Sequence, residues 1–431
     1  MEGPGRPKAS APGGVPNRHV TSAYRSGAAE GERSGRGAES ARDQRLFHHG
    51  HSTLLSDLGE SLTTKASGVF VLCAPNGDID NEVNNGYGLF FHDTRFLEVA
   101  RLRINGQPLA VLLSNAEDNV FRAELTNADL ELGHGQVLAK DRISIRRQRE
   151  IGRTVHETIE VANYSSDPVH LEVELDFAAS FESMFVVRGA EHGRRGRLHP
   201  PRWAGNTMTF RYDGADHRQR TTKLTFSGPP SRHQAGGSSF RVDLQPTAKT
   251  TIEIVIDLED RGSGGLEIQP TGKLSQSLLQ DVRVETDNPL FDRILSRSFD
   301  DLRMLLMRER EETFFAAGVP WYVALFGRDS IITALETLLY DPSIAANTLI
   351  LLANYQGQHN HGWRDEEPGK ILHELRVGEM ANLQEVPQTP YYGTVDATPL
   401  FIVLLAEYVR WTGDLDIWQR LHGNVDAALG W

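Results

Sequence analysis

The chain has 431 residues and a mass of 47.9 kDa, with 39% hydrophobic and 24% charged residues; this is globular composition on a chain too long for one core, since single cores stop growing near about 250–300 residues. A formal charge of −13 argues against a nonspecific nucleic-acid binder, which needs a basic face, and no run approaches the roughly 18 apolar residues of a bilayer span, so neither nucleic acid nor membrane is an expected partner. The single cysteine, Cys73 in the apolar run Val69–Cys73, cannot form an internal disulfide, and the N-terminus has no apolar stretch of the secretory kind, so the expected location is cytoplasmic.

Residues 1–45 are rich in Gly, Ser, Ala and Arg and nearly free of large apolar groups. They cannot bury enough surface to offset their ordering entropy and are expected to be a disordered tail. With eight Lys and Arg against five Asp and Glu, a surplus of three, the tail is expected to be solvated, contact with an anionic partner being the alternative. From about Leu55 to Leu258 the period is two. His170 to Phe177 alternates without a fault, placing Leu171, Val173, Leu175 and Phe177 on one face; Val155, Ile159 and Val161, Leu224 and Phe226, and Phe240, Val242 and Leu244 repeat the habit. Turn signals at Asn76-Gly77-Asp78, Asn84-Asn85-Gly86, Asn105-Gly106 and Ser165-Ser166-Asp167-Pro168 separate them. Short alternating strands between such turns predict an antiparallel β-sandwich domain over 50–262.

Near Gly262-Ser263-Gly264-Gly265 the composition changes, and after Asp287 the period becomes helical. Asn288 or Asp287 can cap a first helix with Pro289 at its first position; Leu290, Ile294, Leu302, Leu305 and Leu306 form its stripe, and Arg308 to Glu312 its solvated end. Further helices are predicted after Gly327, from Asp341-Pro342, from Thr398-Pro399, and through Leu415, Trp418, Leu421 and Val425. A series of amphipathic helices over 285–431 predicts a helical array, the first part of a larger one.

Between the third and fourth of these helices, Gln356 to Thr394 shows neither period. Structureless connections beyond about 12–15 residues are functional or disordered, and Trp363, Tyr391 and Tyr392 argue against disorder. Flat rings, carboxylates and guanidinium groups on loops between helices suit a sugar: rings cover the apolar face of a pyranose, and charged groups bind its hydroxyls. Arg328 and Asp329 stand at a helix start; Arg328 can fork onto vicinal hydroxyls and Asp329 can accept from one, or merely cap the helix. Trp321 is a stacking platform or a core residue. Glu374 and Glu379 can accept hydroxyls, or belong to a charged surface helix with Lys370, His373 and Arg376. Tyr392 and Trp363 offer rings. Asp396 can cap the next helix, but Thr398 is placed to do so, which frees Asp396 for a ligand. His373-Glu374 lacks the HExxH spacing, Val377 standing where the second His is needed, so no metal and no cofactor are expected.

Pro320–Ser330 (PWYVALFGRDS), Pro368–Met380 (PGKILHELRVGEM) and Tyr391–Phe401 (YYGTVDATPLF) resemble the bacterial-type glycogen-debranching family, glycoside hydrolases of the amylo-α-1,6-glucosidase type. Gly77–Leu109 is similar to that family's N-terminal β-sandwich. The resemblance implies a multidomain fold, an antiparallel β-sandwich followed by an (α/α)6 six-hairpin toroid, with an α-glucan or oligosaccharide held by loops at one end. It implies inversion by a general acid and a general base. These carboxylates are expected beyond residue 431, so the catalytic residues are unknown, and the chain is expected to hold only part of the toroid and to lack the catalytic pair. Trp321, Arg328, Asp329, Trp363, Glu374, Glu379, Tyr392 and Asp396 are the expected substrate-binding residues. Alternatives are a noncatalytic glucan-binding or inactive fragment, and another toroidal glycosidase acting on trehalose or a mannosyl conjugate. Oligomeric state is not legible.

Overall fold

The faultless alternation of 170–177 becomes the strand Val169–Ala178, in which Val169, Leu171, Val173, Leu175 and Phe177 are buried and the residues between them more exposed. The computed structural model describes residues 61–80, 86–133, 136–152, 154–191, 193–262, 282 and 284–431. The expected tail 1–45, the first residues of the expected sandwich domain, Asn84-Asn85 and the glycine-rich change at 263–265 lie outside the described residues.

Val169–Ala178 pairs with Gly237–Leu244 on one side and Val99–Ile104 on the other, and Arg232–Gln234 completes a four-stranded antiparallel sheet. An eight-stranded sheet runs in the order Arg197–Ala204, Thr207–Asp213, Gln219–Phe226, Lys249–Arg261, Val155–Asn163, Ile143–Ile151, Val120–Asn127, Leu109–Glu117. A five-stranded sheet, Leu62–Ala66 through Glu182–Ser183, joins the same apolar core. Period-two patterning thus buries one face of the larger sheets, while the central strands Val69–Cys73, Gly88–Phe91 and Thr94–Leu97 of the five-stranded sheet are buried on both faces. Charged groups also enter that core: Glu157 takes Arg147 at 2.5 Å and Arg149 at 2.9 Å, and Arg147 also holds Asp78 at 2.5 Å. These are paired, as buried charges must be.

Seven helices are described. The short α1, Met184–Val187, leaves the sandwich. Helix α2, Pro289–Leu305, starts as predicted: the Asn288 side chain accepts from the N–H groups of Leu290 and Phe291, and Pro289 occupies the first position. Its expected stripe holds at Leu302, Leu305 and Leu306, which pack together with Phe315 and Ile344, and is corrected at its start, for Leu290 and Ile294 are exposed and Phe299 is buried. The expected solvated helix end at 308–312 is also corrected. Here Leu306–Glu309 pairs with Glu312–Phe315 in a hairpin that turns at Arg310 (φ 56°) and buries Met307, Phe314 and Phe315. Burial of those side chains overrides the helical charge pattern, and Glu309 turns inward to accept from the Tyr355 hydroxyl at 2.6 Å.

Helices α3 (Gly327–Glu336), α4 (Pro342–Asn354), α6 (Ala397–Thr412) and α7 (Asp416–Gly430) pack around a second core, with the four-residue α5 (Glu379–Asn382) inside the long connection. Asp341 caps α4 through the Ser343 N–H, and Gly413, in the left-handed region at φ 72°, ends α6. Ile417, Leu421, Val425 and Ala428 form the buried stripe of α7; Leu415 and Trp418, expected within it, are exposed. Sandwich and helices belong to one compact unit, His48–Trp431. No described helix is long and apolar enough to cross a membrane.

Candidate functional site

Three local contacts bring distant loops together. The two-residue strands Leu325–Phe326 and Glu374–Leu375 pair, tying the start of α3 to the middle of the long connection. The Gly327 N–H donates to the His373 carbonyl at 3.0 Å, and a Cβ on Gly327 would lie 2.0 Å from the Leu372 carbonyl oxygen, so this crossing requires glycine. The Thr398 hydroxyl accepts from the Ile371 N–H at 2.9 Å, which draws the start of α6 onto the same segment. Thr398 was expected to cap its own helix. Instead it sits in the first turn and serves Ile371.

The outcome is that the first turns of α3 and α6 bring their charged side chains together. Arg328 Nη1 lies 3.4 Å from Asp396 Oδ2, and Arg328 Nη2 lies 3.4 Å from Asp329 Oδ2. All three side chains are partly open to solvent. Neither aspartate makes a side-chain capping bond, and two long contacts leave most of the five guanidinium donors free. Burial pushes the Asp396 carboxyl up, but the Thr394 hydroxyl bond and Arg328 outweigh it and hold it below the usual carboxylate range. An ionised acceptor, a half-free fork and a second carboxylate can bind vicinal hydroxyls.

The other expected residues have different surroundings. Trp363, 41% exposed, lines a cleft of about 410 Å³ with His361, Arg364, Asn382 and Gln384. Glu374 accepts from Arg376 Nε at 2.5 Å. Arg376 itself is buried; it also donates to Asp93 at 2.8 Å and to the Trp321 carbonyl at 2.8 Å, and lies over the Phe326 and Phe185 rings. Its burial disfavours charge, yet Glu374 and Asp93 hold the guanidinium above its usual range. Glu379 reaches the sandwich, accepting from the Tyr212 hydroxyl at 2.9 Å and the Ala215 N–H at 2.6 Å; burial pushes its carboxyl up. Trp321, 4% exposed, packs edge-on against Phe90 at 5.8 Å. Tyr392, 3% exposed, donates to the Tyr355 carbonyl at 2.6 Å, and burial pushes its hydroxyl up to about 12. The structure therefore brings Arg328, Asp329 and Asp396 together. It turns the side chains of Trp321, Glu374, Glu379 and Tyr392 to contacts within the protein.

Sequence reasoning passed over Tyr322 and Arg188. Tyr322 is 46% exposed and stands edge-on to Phe326 at 5.8 Å; Phe326 meets His373 at 5.6 Å, and His373 meets Tyr391 at 6.0 Å. The Arg188 guanidinium, one residue past α1, lies over the Tyr322 ring at 5.7 Å. The pair Trp321-Tyr322 was the available signal, since a buried ring leaves its neighbour free to face outward. Nothing local marked Arg188.

Residues 65–255 match the family described as the N-terminal domain of (some) glycogen debranching enzymes. No curated protein matches the chain in sequence. Among solved structures, one described as a kojibiose phosphorylase from the human microbiome is 9% identical with a TM-score of 0.50, over 84% of this chain and 55% of that one. A bacterial glucoamylase complexed with acarbose is 12% identical with a TM-score of 0.43, over 84% and 57%. The chain thus spans a little over half the length of the solved structures it resembles. The fold class is an antiparallel β-sandwich followed by helices of the (α/α)6 six-hairpin type. Five helices of ten residues or more stand among the described residues, where a closed ring of six hairpins has twelve.

Proposed function

We propose, from the premise that residues 65–255 belong to the family of N-terminal domains of glycogen debranching enzymes, that this chain holds the terminal glucose of an α-glucan at Arg328, Asp329 and Asp396. The observation that carries the reading is the meeting of these three side chains, 68 residues apart in sequence at its widest, in a partly open group with unspent donors and acceptors. Donors and acceptors fixed by helix starts hold a pyranose in one orientation, which is the positioning part of glycoside hydrolysis. The reaction in view is that of the amylo-α-1,6-glucosidase type. A protonated carboxyl gives its proton to the departing glycosidic oxygen while a second carboxylate activates water on the opposite face.

A general acid needs a raised pKa and access to the glycosidic oxygen. Asp396 is held ionised, Glu374 is spent on Arg376, and Glu379, although raised, is bonded to Tyr212 and Ala215. None of the three is suited to that role, which favours glucan binding without cleavage as the second reading. Calorimetry with maltotriose, run beside an assay of glucose release from a branched dextrin, tests both. Binding that Arg328→Ala weakens supports the site. Glucose release by the chain itself decides for the hydrolase over the binding protein, and absence of binding sinks both.

A further inference from the structure

We propose that Arg188, supplied by the β-sandwich, is the contact for a second sugar unit, so that the site selects an oligosaccharide over free glucose; this rests on the functional reading above. Arg188 is placed by a rigid turn. Its own N–H caps α1 through the Met184 and Val186 carbonyls, Met184 is fixed by an N–H bond to the Asp93 carbonyl at 2.8 Å, and Gly189 at φ 97° ends the turn. The guanidinium then rests over the Tyr322 ring at 5.7 Å, and among the described residues no carboxylate is in ion-pair contact with it. The carboxylate whose charge acts on it, Glu374, is already bonded to Arg376.

An unpaired, half-buried cation costs stability. Burial lowers the Arg188 pKa, and neighbouring Arg376 adds to this, while Tyr322 and Glu374 offset part of it. A fold that only needed packing there would do better with an apolar side chain. A half-exposed ring beside a guanidinium that no carboxylate neutralises is, by contrast, suited to a sugar: the open part of the ring can cover a pyranose face and the remaining donors of the fork can take hydroxyls. Tyr322 touches Phe326, the residue just before Gly327-Arg328, so the pair adjoins the first sugar's group on its sandwich side. Across both groups Arg188, Arg328 and Arg376 face Asp93, Asp329, Glu374 and Asp396. That set has no positive excess, which fits a neutral, hydroxyl-rich ligand rather than phosphate.

Calorimetry of the full chain with glucose, maltose, maltotriose and inorganic phosphate tests this, comparing the unsubstituted protein with Arg188→Met and Arg188→Lys. Maltotriose is expected to bind more tightly than glucose. Arg188→Met should weaken maltotriose binding about tenfold, ~1.4 kcal/mol, and glucose binding less than twofold, with no drop in melting temperature; Arg188→Lys should restore part of the loss. Equal affinity of the unsubstituted protein for glucose and maltotriose overturns the inference. So does an Arg188→Met protein that keeps the preference, loses both sugars alike, or loses a phosphate affinity instead. Failure of every sugar to bind the unsubstituted protein defeats the functional reading, and this inference with it.

Discussion

Two arginine-centred groups lie on either side of the strand pair Leu325–Phe326 and Glu374–Leu375, and they differ in saturation. Arg376 is buried, with Glu374, Asp93 and the Trp321 carbonyl all within 2.8 Å and two rings against its faces. Arg328 is nearly half exposed and touches Asp329 and Asp396 only at 3.4 Å. Each group sets one arginine against two carboxylates, the first drawing Glu374 and Arg376 from the aperiodic stretch and the second standing at helix starts. The first is a strut that locks the helices to the sandwich, because Asp93 also takes the Val377 N–H at 3.0 Å. The second has capacity left over for a ligand. Hydrogen-bond saturation, rather than composition, separates a structural charge cluster from a binding one.

The strongest way to break this comparison is to remove the strut. Arg376→Met should destabilise the fold by about 3–5 kcal/mol, because Asp93 and Glu374 remain buried without their cation. Urea unfolding would show it as a lower midpoint, and adding Asp93→Asn should recover part of the loss through coupling. A loss below about 1 kcal/mol would mean that the group is no strut. Next in size comes acid sensitivity of a second buried charge group, in the sandwich. Asp260 is paired with Arg218 at 2.8 Å and lies 3.6 Å from His92 and Arg220. Burial opposes its ionisation, yet His92 and the two arginines lower its pKa from 3.8 to about 2. A folded value below the unfolded one means that this stability is complete above about pH 4 and is lost as pH falls toward 2, amounting to about 2 kcal/mol. Asp260→Asn should flatten that part of the stability profile.

The open group predicts the opposite pattern. Arg328→Ala should leave stability within about 0.5 kcal/mol, since exposed ion pairs contribute little. Maltotriose binding should fall about tenfold or more, as expected for a lost charge-assisted contact. If Arg328→Ala instead unfolds the protein as readily as Arg376→Met, the two groups are of one kind.

Much of the framework could be read from the sequence, because periodicity and caps are local. The alternation at 170–177 and the Asn288 and Asp341 caps each depend on a few neighbouring residues. In the site, Arg328, Asp329 and Asp396 could be named from their places at helix starts. Trp321, Glu374, Glu379 and Tyr392 had the same outward look in sequence, yet each is held by a partner far along the chain: Phe90, Asp93 through Arg376, Tyr212 and Tyr355. No periodicity distinguishes an inward from an outward side chain inside an aperiodic loop. Arg188 was invisible for the same reason, since its neighbour Tyr322 lies across the junction of sandwich and helices. The hairpin at 306–315 was misread because a run of charges suits a solvated helix until the burial of Phe314 and Phe315 is known.

The smallest expected effect separates the two groups by pH. Buried Asp260 links acid to unfolding; open Asp396 should link acid to ligand loss instead. The Asp396 carboxyl is raised by burial but lowered further by the Thr394 hydroxyl and by Arg328, so the folded protein keeps it ionised below the usual carboxylate range. Maltotriose affinity should therefore stay level from neutral pH down to about pH 5, and decline only as Asp396 takes up a proton. Thr394→Val removes the hydroxyl bond and raises the carboxyl, so the acid limb of binding should move to higher pH while affinity at pH 7 changes less than about twofold. Calorimetry at several pH values reads both quantities from one protein. An unmoved acid limb would show that Asp396 does not accept from the sugar, and would reduce the open group to Arg328 and Asp329.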